Sequence, residues 1–190
     1  MRPSEKRKEK SMKKGIVRDI TLIALFAAVI SVSALISIPF GTVPVTLQTF
    51  GVFCALILLG GRRGTVSVAV YVAIGAVGLP VFSGFSGGVG RLFDSTGGFI
   101  LGFLAAALVY WLLSRLLGTS LRATAVSSVT AHLVLYAVGA VWFYLGYADG
   151  AGFLAALTAT VLPFLLPDAL KLFLAIFMCG KIKKRLNKPI

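Results

Sequence analysis

Apolar runs almost without charged residues follow one another along most of this chain, separated by short polar turns. Six such segments can be drawn, at approximately residues 20–38, 45–59, 65–77, 97–117, 123–146 and 153–178. A helix needs about 20 apolar residues to cross the hydrocarbon core of a bilayer, and the longer segments meet this requirement. The runs do not alternate apolar and polar residues, as the strands of a membrane barrel do. We therefore predict an all-α protein with six transmembrane helices.

The composition excludes an ordinary soluble domain. Hydrophobic residues make up 58% of the 190 residues and charged residues 13%, against roughly 45–50% and about 25% in soluble domains. The net charge of +13 raises the alternative of a nucleic-acid-binding protein, but the charges lie in short clusters between the apolar runs. Basic clusters that flank apolar spans orient membrane proteins, so we expect a lipid bilayer as partner and no nucleic acid.

Basic residues lie on one side of the six-helix arrangement. Seventeen of the nineteen fall in the two tails and in the turns after the second and fourth segments. They are Arg2, Lys6, Arg7, Lys8, Lys10, Lys13, Lys14, Arg18, Arg62, Arg63, Arg115, Arg122, Lys181, Lys183, Lys184, Arg185 and Lys188. The positive-inside rule then predicts that both termini are cytoplasmic. We divide the chain into a basic tail at 1–19, a transmembrane domain at 20–179 and a basic tail at 180–190.

No catalytic or metal-binding constellation is evident in the sequence. His132 is the single histidine, and the two cysteines, Cys54 and Cys179, lie in or at the end of apolar segments. Two thiols without acidic or histidine neighbours make a poor metal site, so we expect them to fill the core without forming a disulfide. We predict no enzyme, no metal and no cofactor. Because the sequence has no ATP-binding motif, uphill transport would need a partner or an ion gradient.

Asp168 and Lys171 point most directly to a ligand. They are three residues apart in the sixth segment, so they share one face of a helix. Ionisable groups inside a membrane are costly and usually face a cavity or each other. The alternative is an ion pair that only holds the bundle together, but such a pair adds little stability after desolvation. Pro163 and Pro167 nearby favour an irregular backbone beside a cavity. A ligand of Asp168 and Lys171 would have hydrogen-bond donors and acceptors, or would be zwitterionic or anionic.

A loop at residues 79–96, rich in glycine, serine and aromatic residues, is predicted to cover or line a pocket. Its segment from Ser86 through Gly87 to Arg91 offers backbone N–H groups that a ligand can approach closely and a guanidinium that suits a carboxylate. The alternative is a flexible loop with a surface arginine. Gln48 and Thr49, at the start of the second segment, either reach the same pocket or cap a helix.

Three further groups have two interpretations each. His132 and Tyr136 are four apart on the fifth segment, where a lone histidine is more often a satisfied packing residue than a proton relay. Aromatic residues from 142 to 147 form either an interfacial belt or a wall for a ring-shaped ligand. Ala24 and Ala28 form a stripe of small residues that either packs internally or allows close contact with another helix in lipid.

Three blocks of sequence together resemble the BioY family, the substrate-binding S components of energy-coupling-factor (ECF) vitamin transporters. They are Pro44–Gly90, which begins PVTLQTF and ends SGGVG, Ser95–Phe103 (STGGFILGF) and Pro163–Lys171 (PFLLPDALK). The last block has the family's acid-x-x-lysine pattern, and the resemblance extends over about residues 22–175. The chain departs from the family in having Ser95 where proline is usual and Pro167 where glycine is usual.

The resemblance implies a high-affinity biotin-binding subunit with six helices in the plasma membrane of a prokaryote. A transmembrane coupling subunit and two ATPase subunits would be its partners. Asp168 and Lys171 match the family's binding pair, the loop 82–88 matches its substrate-covering loop, and Ala24 to Ala28 matches the surface that contacts the coupling subunit. The alternatives are a stand-alone ion-coupled carrier and a structural membrane protein.

The chemistry of biotin agrees with these residues. Its ureido ring has N–H groups that Asp168 can accept and a carbonyl to which Lys171 can donate, and either Lys171 or Arg91 can pair with its carboxylate. Phe82, Phe85 and Trp142 are expected against its apolar parts. The predicted biotin-binding residues are Asp168, Lys171, Phe82, Ser86, Gly87, Arg91, Gln48 and Tyr136.

Overall fold

The fold is a bundle of α-helices in a computed structural model that describes residues 3–39 and 43–186. The helices in these ranges are α1 Pro3–Leu35, α2 Gln48–Leu59, α3 Gly61–Ala76, α4 Gly97–Leu117, α5 Leu121–Tyr147, α6 Phe153–Thr160 and α7 Leu165–Leu186. Two short strands, β1 Ser37–Ile38 and β2 Val45–Thr46, pair antiparallel with Ser37 opposite Thr46. Short 3-10 helices lie at Val89–Leu92 and Leu162–Phe164.

Four helical stretches are long and apolar enough to cross a membrane. They are Met12–Leu35, Gly97–Leu117, Leu121–Tyr147 and Phe153–Arg185. The other two helices are shorter, because α2 has 12 residues and α3 has 16. At about 1.5 Å per residue they measure about 18 and 24 Å, less than the roughly 30 Å of the hydrocarbon core. The chain is a multi-pass helical protein with four candidate spans. The six helices predicted from the sequence are these four and the two short helices, α2 and α3.

Helix α1 extends through the region predicted as a basic tail. Helix α1 begins at Pro3 and runs without interruption to Leu35, so the predicted tail at 1–19 is continuous with the first span. The lysine, glutamate and arginine residues of this region are good helix formers, which explains why the helix extends beyond the apolar run. Arg2 and Lys188 of the basic clusters lie outside the described residues.

Arg62 and Arg63 were predicted to lie in a turn, and this was wrong, because both lie in the first turn of α3. Gly60 alone connects α2 to α3, with φ of +81°, a left-handed conformation that glycine adopts without strain. Gly61 then begins α3 in close contact with Trp111 of α4, where a Cβ atom would lie 2.6 Å from the tryptophan Cα. Arg63 forms a salt bridge of 3.0 Å with Asp19, which connects α3 to α1.

The sixth apolar segment is interrupted, as its prolines predicted. Helix α6 ends at Thr160, a 3-10 turn follows at Leu162–Phe164, and α7 begins at Leu165. Pro163 lies within this turn, where its missing N–H breaks the helical hydrogen-bond pattern. Pro167 lies in the first turn of α7, where no N–H partner is needed. The interruption brings side chains of both helices to one cavity.

Helix α2 lies at the centre of the core. Nine of its twelve residues are buried, and Val52, Phe53, Ala55 and Leu56 have no exposed surface. It packs against α1, α3 and α7. Cys54 of α2 and Cys179 of α7 are buried free thiols whose Sγ atoms lie 3.2 Å apart, a separation larger than the roughly 2.05 Å of a disulfide bond.

Candidate functional site

A cavity of about 240 Å³ lies at the end of the bundle where α2 and α4 begin. Its wall combines side chains from β2 and α2, from the 79–96 loop, and from α4, α5 and the α6–α7 break. At roughly 30 Å³ for each molecule of liquid water, this volume equals about eight waters. The cavity is therefore large enough for one small organic molecule.

Asp168 and Lys171 lie together in the cavity wall. Lys171 Nζ is 2.8 Å from Asp168 Oδ1, and the two residues are only 8% and 5% exposed. Asp168 lies in the first turn of α7, where the helix dipole stabilises a negative charge. Tyr136 of α5 donates its hydroxyl hydrogen to Asp168 Oδ2 at 3.0 Å. The carboxylate is thus held by a cation, a hydroxyl and a helix terminus in the wall of the cavity.

His132 lies one helical turn from Tyr136 and also contacts the carboxylate. Its Nε2 is 3.7 Å from Asp168 Oδ2, and its ring packs edge-on against Tyr136 and tilted against Phe53. The prediction of a packing residue is correct for the ring. It is incomplete for the nitrogens, because neither Nδ1 nor Nε2 has a hydrogen-bond partner among the described residues.

Gln48 and Thr49 both line the cavity and are each 5% exposed. The side chain of Gln48 does not cap α2; the hydroxyl of Thr46 instead accepts the backbone N–H of Gln48 at 3.2 Å at the start of this helix. Gln48 Nε2 is buried without a partner among the described groups. Of the two interpretations of Gln48, the geometry therefore favours a polar group directed to the pocket.

Phe82 and Ser86 bring the 79–96 loop onto the cavity. Their backbones exchange two hydrogen bonds, of 2.9 and 3.3 Å, which close a narrow turn. Phe82 is 2% exposed, and its ring packs edge-on against Tyr71 and over Gly75, where an added Cβ would lie 2.2 Å from the ring. Because Gly75 has no side chain, the ring of Phe82 can pack against its backbone and form part of the cavity wall.

Two residues of this loop that were expected at the ligand, Gly87 and Phe85, do not line the cavity. A Cβ at Gly87 would lie 2.2 Å from the carbonyl oxygen of Leu79, so Gly87 allows close packing within the loop and is not part of the cavity wall. Phe85 is 69% exposed and was wrongly expected in the pocket. It occupies a left-handed backbone conformation with φ of +54° at the tip of the turn, which directs its side chain away from the cavity.

Arg91 lines the cavity at its exposed edge, where its Nη1 is 2.8 Å from Asp94 Oδ2. Thr96 donates to the other carboxylate oxygen from its backbone N–H at 2.8 Å and from its hydroxyl at 2.7 Å. Partial burial acts to raise the pKa of Asp94, but the hydrogen bonds from Thr96 and Arg91 outweigh it and bring this pKa below its ordinary value. Asp94 therefore stays ionised and holds Arg91 at the cavity edge.

Trp142 was also expected in the pocket, and this was wrong. Its Nε1–H donates to the backbone carbonyl of Asp94 at 3.0 Å, and its side chain packs over Gly98 at the start of α4. Tyr147, one turn further along α5, donates to the carbonyl of Phe93. These two aromatic residues attach the loop to α5 and do not form the wall.

Several wall residues were missed from the sequence. Phe99 and Phe103 lie one turn apart on α4, and Leu135 lies on α5. Thr160 ends α6, and Phe164 lies in the 3-10 turn between α6 and α7. In a chain of apolar helices a phenylalanine that faces a cavity has the same pattern as one that faces lipid. Only the glycine pair before Phe99 and the proline at 163 indicated a local change of packing.

Ala24 and Ala28 lie on the outer surface of α1 and are exposed, whereas Ala27 and Ala34 of the same helix are buried. Internal packing therefore does not account for this stripe. Among the residues that the structure describes, no group of three or more histidine, cysteine and acidic side chains could hold a metal ion.

These features define a helical membrane protein with a partly charged cavity that is large enough for one small molecule. A model of the BioY family matches residues 5–188. The chain is 37% identical over 166 residues to the probable biotin transporter BioY of Pyrococcus horikoshii, with 87% of this chain and 96% of that protein covered. It is 38% identical over 168 residues to the biotin transporter BioY of Thermotoga maritima, with 88% and 97% covered. The chain therefore belongs to the BioY family, as its motifs indicated.

The fold is also similar to a solved structure, the crystal structure of the S-component for biotin from an ECF-type ABC transporter. The TM-score is 0.80 at 25% sequence identity, and the superposition covers 90% of this chain and 93% of that one. The similarity therefore extends over nearly the whole helical bundle.

Proposed function

We propose that this protein is the biotin-binding S component of an ECF-type vitamin uptake transporter, and that the cavity around Asp168 and Lys171 is its biotin site. The observation that carries the proposal is the buried ion pair in the wall of a cavity sized for one small molecule, in a chain of the BioY family. Buried charges in a membrane protein are most readily explained by a ligand that uses them.

The cavity offers a partner to each part of biotin. The carboxylate of Asp168 accepts from a ureido N–H group. Lys171 Nζ and Gln48 Nε2, which has no hydrogen-bond partner among the described residues, donate to the ureido carbonyl. The fused rings and the acyl chain lie against the aromatic and aliphatic part of the wall, to which Phe82 and Phe99 belong.

The carboxylate of biotin is assigned to Arg91. Lys171 is 8% exposed and already paired with Asp168, whereas the side chain of Arg91 is 46% exposed at the edge of the cavity. A guanidinium that binds Asp94 through one nitrogen keeps further N–H groups for a second carboxylate. Biotin therefore lies with its ureido ring inside and its acid at the edge.

The same proposal includes the setting of the protein. It has six membrane-crossing helices with both termini in the cytoplasm, lies in a prokaryotic plasma membrane and performs no chemistry on its ligand. A transmembrane coupling subunit and two ATPases supply the energy, since the sequence has no ATP-binding motif. The coupling subunit contacts the exposed face of α1 at Ala24 and Ala28, where small side chains allow close helix approach.

Binding of a vitamin panel to the detergent-purified protein tests the assignment. Equilibrium titrations with biotin, thiamine and riboflavin are expected to show saturable binding of biotin alone. Saturable binding of thiamine or riboflavin in place of biotin would contradict the ligand assignment. Accumulation of biotin in proteoliposomes that contain only this chain and an ion gradient would contradict the need for partner ATPases.

A further inference from the structure

His132 is the buried polar residue that the proposed site leaves unexplained. It is 6% exposed, it does not line the cavity, and its Nε2 lies 3.7 Å from Oδ2 of Asp168. Two rings hold it in place, Tyr136 at 4.4 Å and Phe53 at 5.8 Å between centroids. A residue in this position either only packs beside the Asp168 carboxylate or also forms a hydrogen bond with it.

The surroundings of the two ring nitrogens of His132 favour the hydrogen bond to Asp168 over packing alone. Both of its nitrogens lack a partner among the described residues, and a buried N–H group without an acceptor is unfavourable. Asp168 Oδ2 is the charged acceptor beside Nε2, and the 3.7 Å between them is only slightly longer than a hydrogen bond. A small rotation of the imidazole ring closes this gap.

We propose that His132 is a positioning residue for the ligand site. With its proton on Nε2 it donates to Asp168 Oδ2, the same oxygen that accepts the hydroxyl hydrogen of Tyr136, while Lys171 holds Oδ1. These three groups fix the plane of the carboxylate, so that its one remaining lone pair, on Oδ1, faces the cavity. The inference rests on the proposed function, because it takes a ureido N–H group of biotin as the donor that uses this lone pair.

The expected effect of His132 is on affinity through preorganisation. A carboxylate already held in the binding orientation loses no further rotational freedom when the ligand arrives, and supporting residues behind a site commonly act in this way. Without His132, Asp168 keeps its charge and its two other partners but can rotate about the Cβ–Cγ bond. The loss is therefore smaller than that caused by removing the carboxylate itself.

Three substitutions separate a hydrogen-bonding role from a packing role. His132→Gln keeps an amide N–H at about the position of Nε2, His132→Asn keeps one only at about the position of Nδ1, and His132→Leu keeps none. We expect the Gln variant to bind biotin within about 3-fold of the native dissociation constant, and the Asn and Leu variants to lose about 10-fold. The thermal midpoint of each ligand-free variant in detergent shows that it is folded.

The Gln and Asn variants both keep an amide and differ in where it lies. Their comparison therefore distinguishes the hydrogen-bonding role from the packing role even if the Leu variant does not fold. Equal losses in the two variants, or native affinity in both, would overturn the positioning role and leave His132 as packing. Failure of the native protein to bind biotin would instead overturn the proposed function, so the two failures are distinguishable.

Discussion

Tyr136 donates its hydroxyl hydrogen to Asp168 Oδ2 at 3.0 Å, and this bond joins α5 to α7 in the wall of the cavity. Both residues line the cavity, and both are less than a tenth exposed. A hydrogen bond to a buried carboxylate orients the acceptor as well as stabilising its charge. Tyr136 is therefore expected to influence the ligand through Asp168.

Substituting Tyr136→Phe removes this hydroxyl and leaves the ring. We expect biotin affinity to fall by about 1–2 kcal/mol, or roughly 5–30-fold, because one partner of a buried charge is lost. Equilibrium titration of the purified variant measures the effect. Tyr144→Phe is the matched control, since Tyr144 is 40% exposed and does not line the cavity. Equal affinities for the two variants would contradict a role for the Tyr136 hydroxyl.

Removing one charge of the Asp168–Lys171 pair should destabilise the protein more than removing both charges. Lys171→Met alone leaves the Asp168 charge without its cation, and breaking a buried pair in this way destabilises proteins by about 3–5 kcal/mol. The double variant Asp168→Asn/Lys171→Met removes both charges and should recover most of that loss. Thermal midpoints in detergent, measured without ligand, give the comparison. A double variant as unstable as the single one would show that the pair itself holds the bundle together.

Gly75 gives Phe82 its place in the cavity wall. In the Gly75→Ala variant the new methyl group would lie 2.2 Å from the Phe82 ring, so the ring must move and the loop that carries it must shift. We expect weaker biotin binding together with a lower thermal midpoint. Gly146→Ala is the control, because no atom lies within 4 Å of a Cβ at that helical position, and it should bind biotin as the native protein does. Native affinity in the Gly75 variant would contradict the placement of Phe82.

The contribution of Asp94 to stability should depend on pH in a defined direction. Its pKa in the folded protein is below the ordinary value of 3.8, so its ionised form is favoured by folding. That stabilisation is fully present above the unfolded pKa and is lost as the pH falls through the folded pKa. The difference in thermal midpoint between the native protein and Asp94→Asn should therefore be constant from pH 5 to 8, about one unit and more above the ordinary pKa. It should shrink only below about pH 4. A difference that already declines between pH 7 and 5 would contradict the low pKa.

The helical architecture was largely predictable, because the length of the apolar runs and their interruption by glycine and proline are local features of the sequence. The predicted bounds 97–117 are those of α4, and Pro163 marked the break between α6 and α7. The turn at Arg62 and Arg63 was misplaced because one glycine, Gly60, is sufficient for the reversal. The β1–β2 pair was not foreseen, since two residues in each strand leave no alternation to detect.

The site was predictable where it contains charge. Asp168 and Lys171 are conspicuous in an apolar segment, whereas Phe99 and Leu135 cannot be told from lipid-facing residues until the helices are packed. Trp142 was misassigned for a related reason, because its N–H finds the Asp94 carbonyl, 48 residues away in sequence. The contact between His132 and Asp168 likewise depends on the packing of α5 against α7.

The most direct test of the biotin site is equilibrium binding of radiolabelled biotin to the native protein beside the Asp168→Asn/Lys171→Met variant, both in detergent. The variant is chosen because it removes the binding groups without leaving an unpaired buried charge. We expect saturable binding by the native chain and a loss of at least about 100-fold in a variant whose thermal midpoint shows that it is folded, because charged partners of desolvated polar groups have been removed. Unchanged affinity in the variant, or no binding by the folded native chain, would contradict the assignment of biotin to this site.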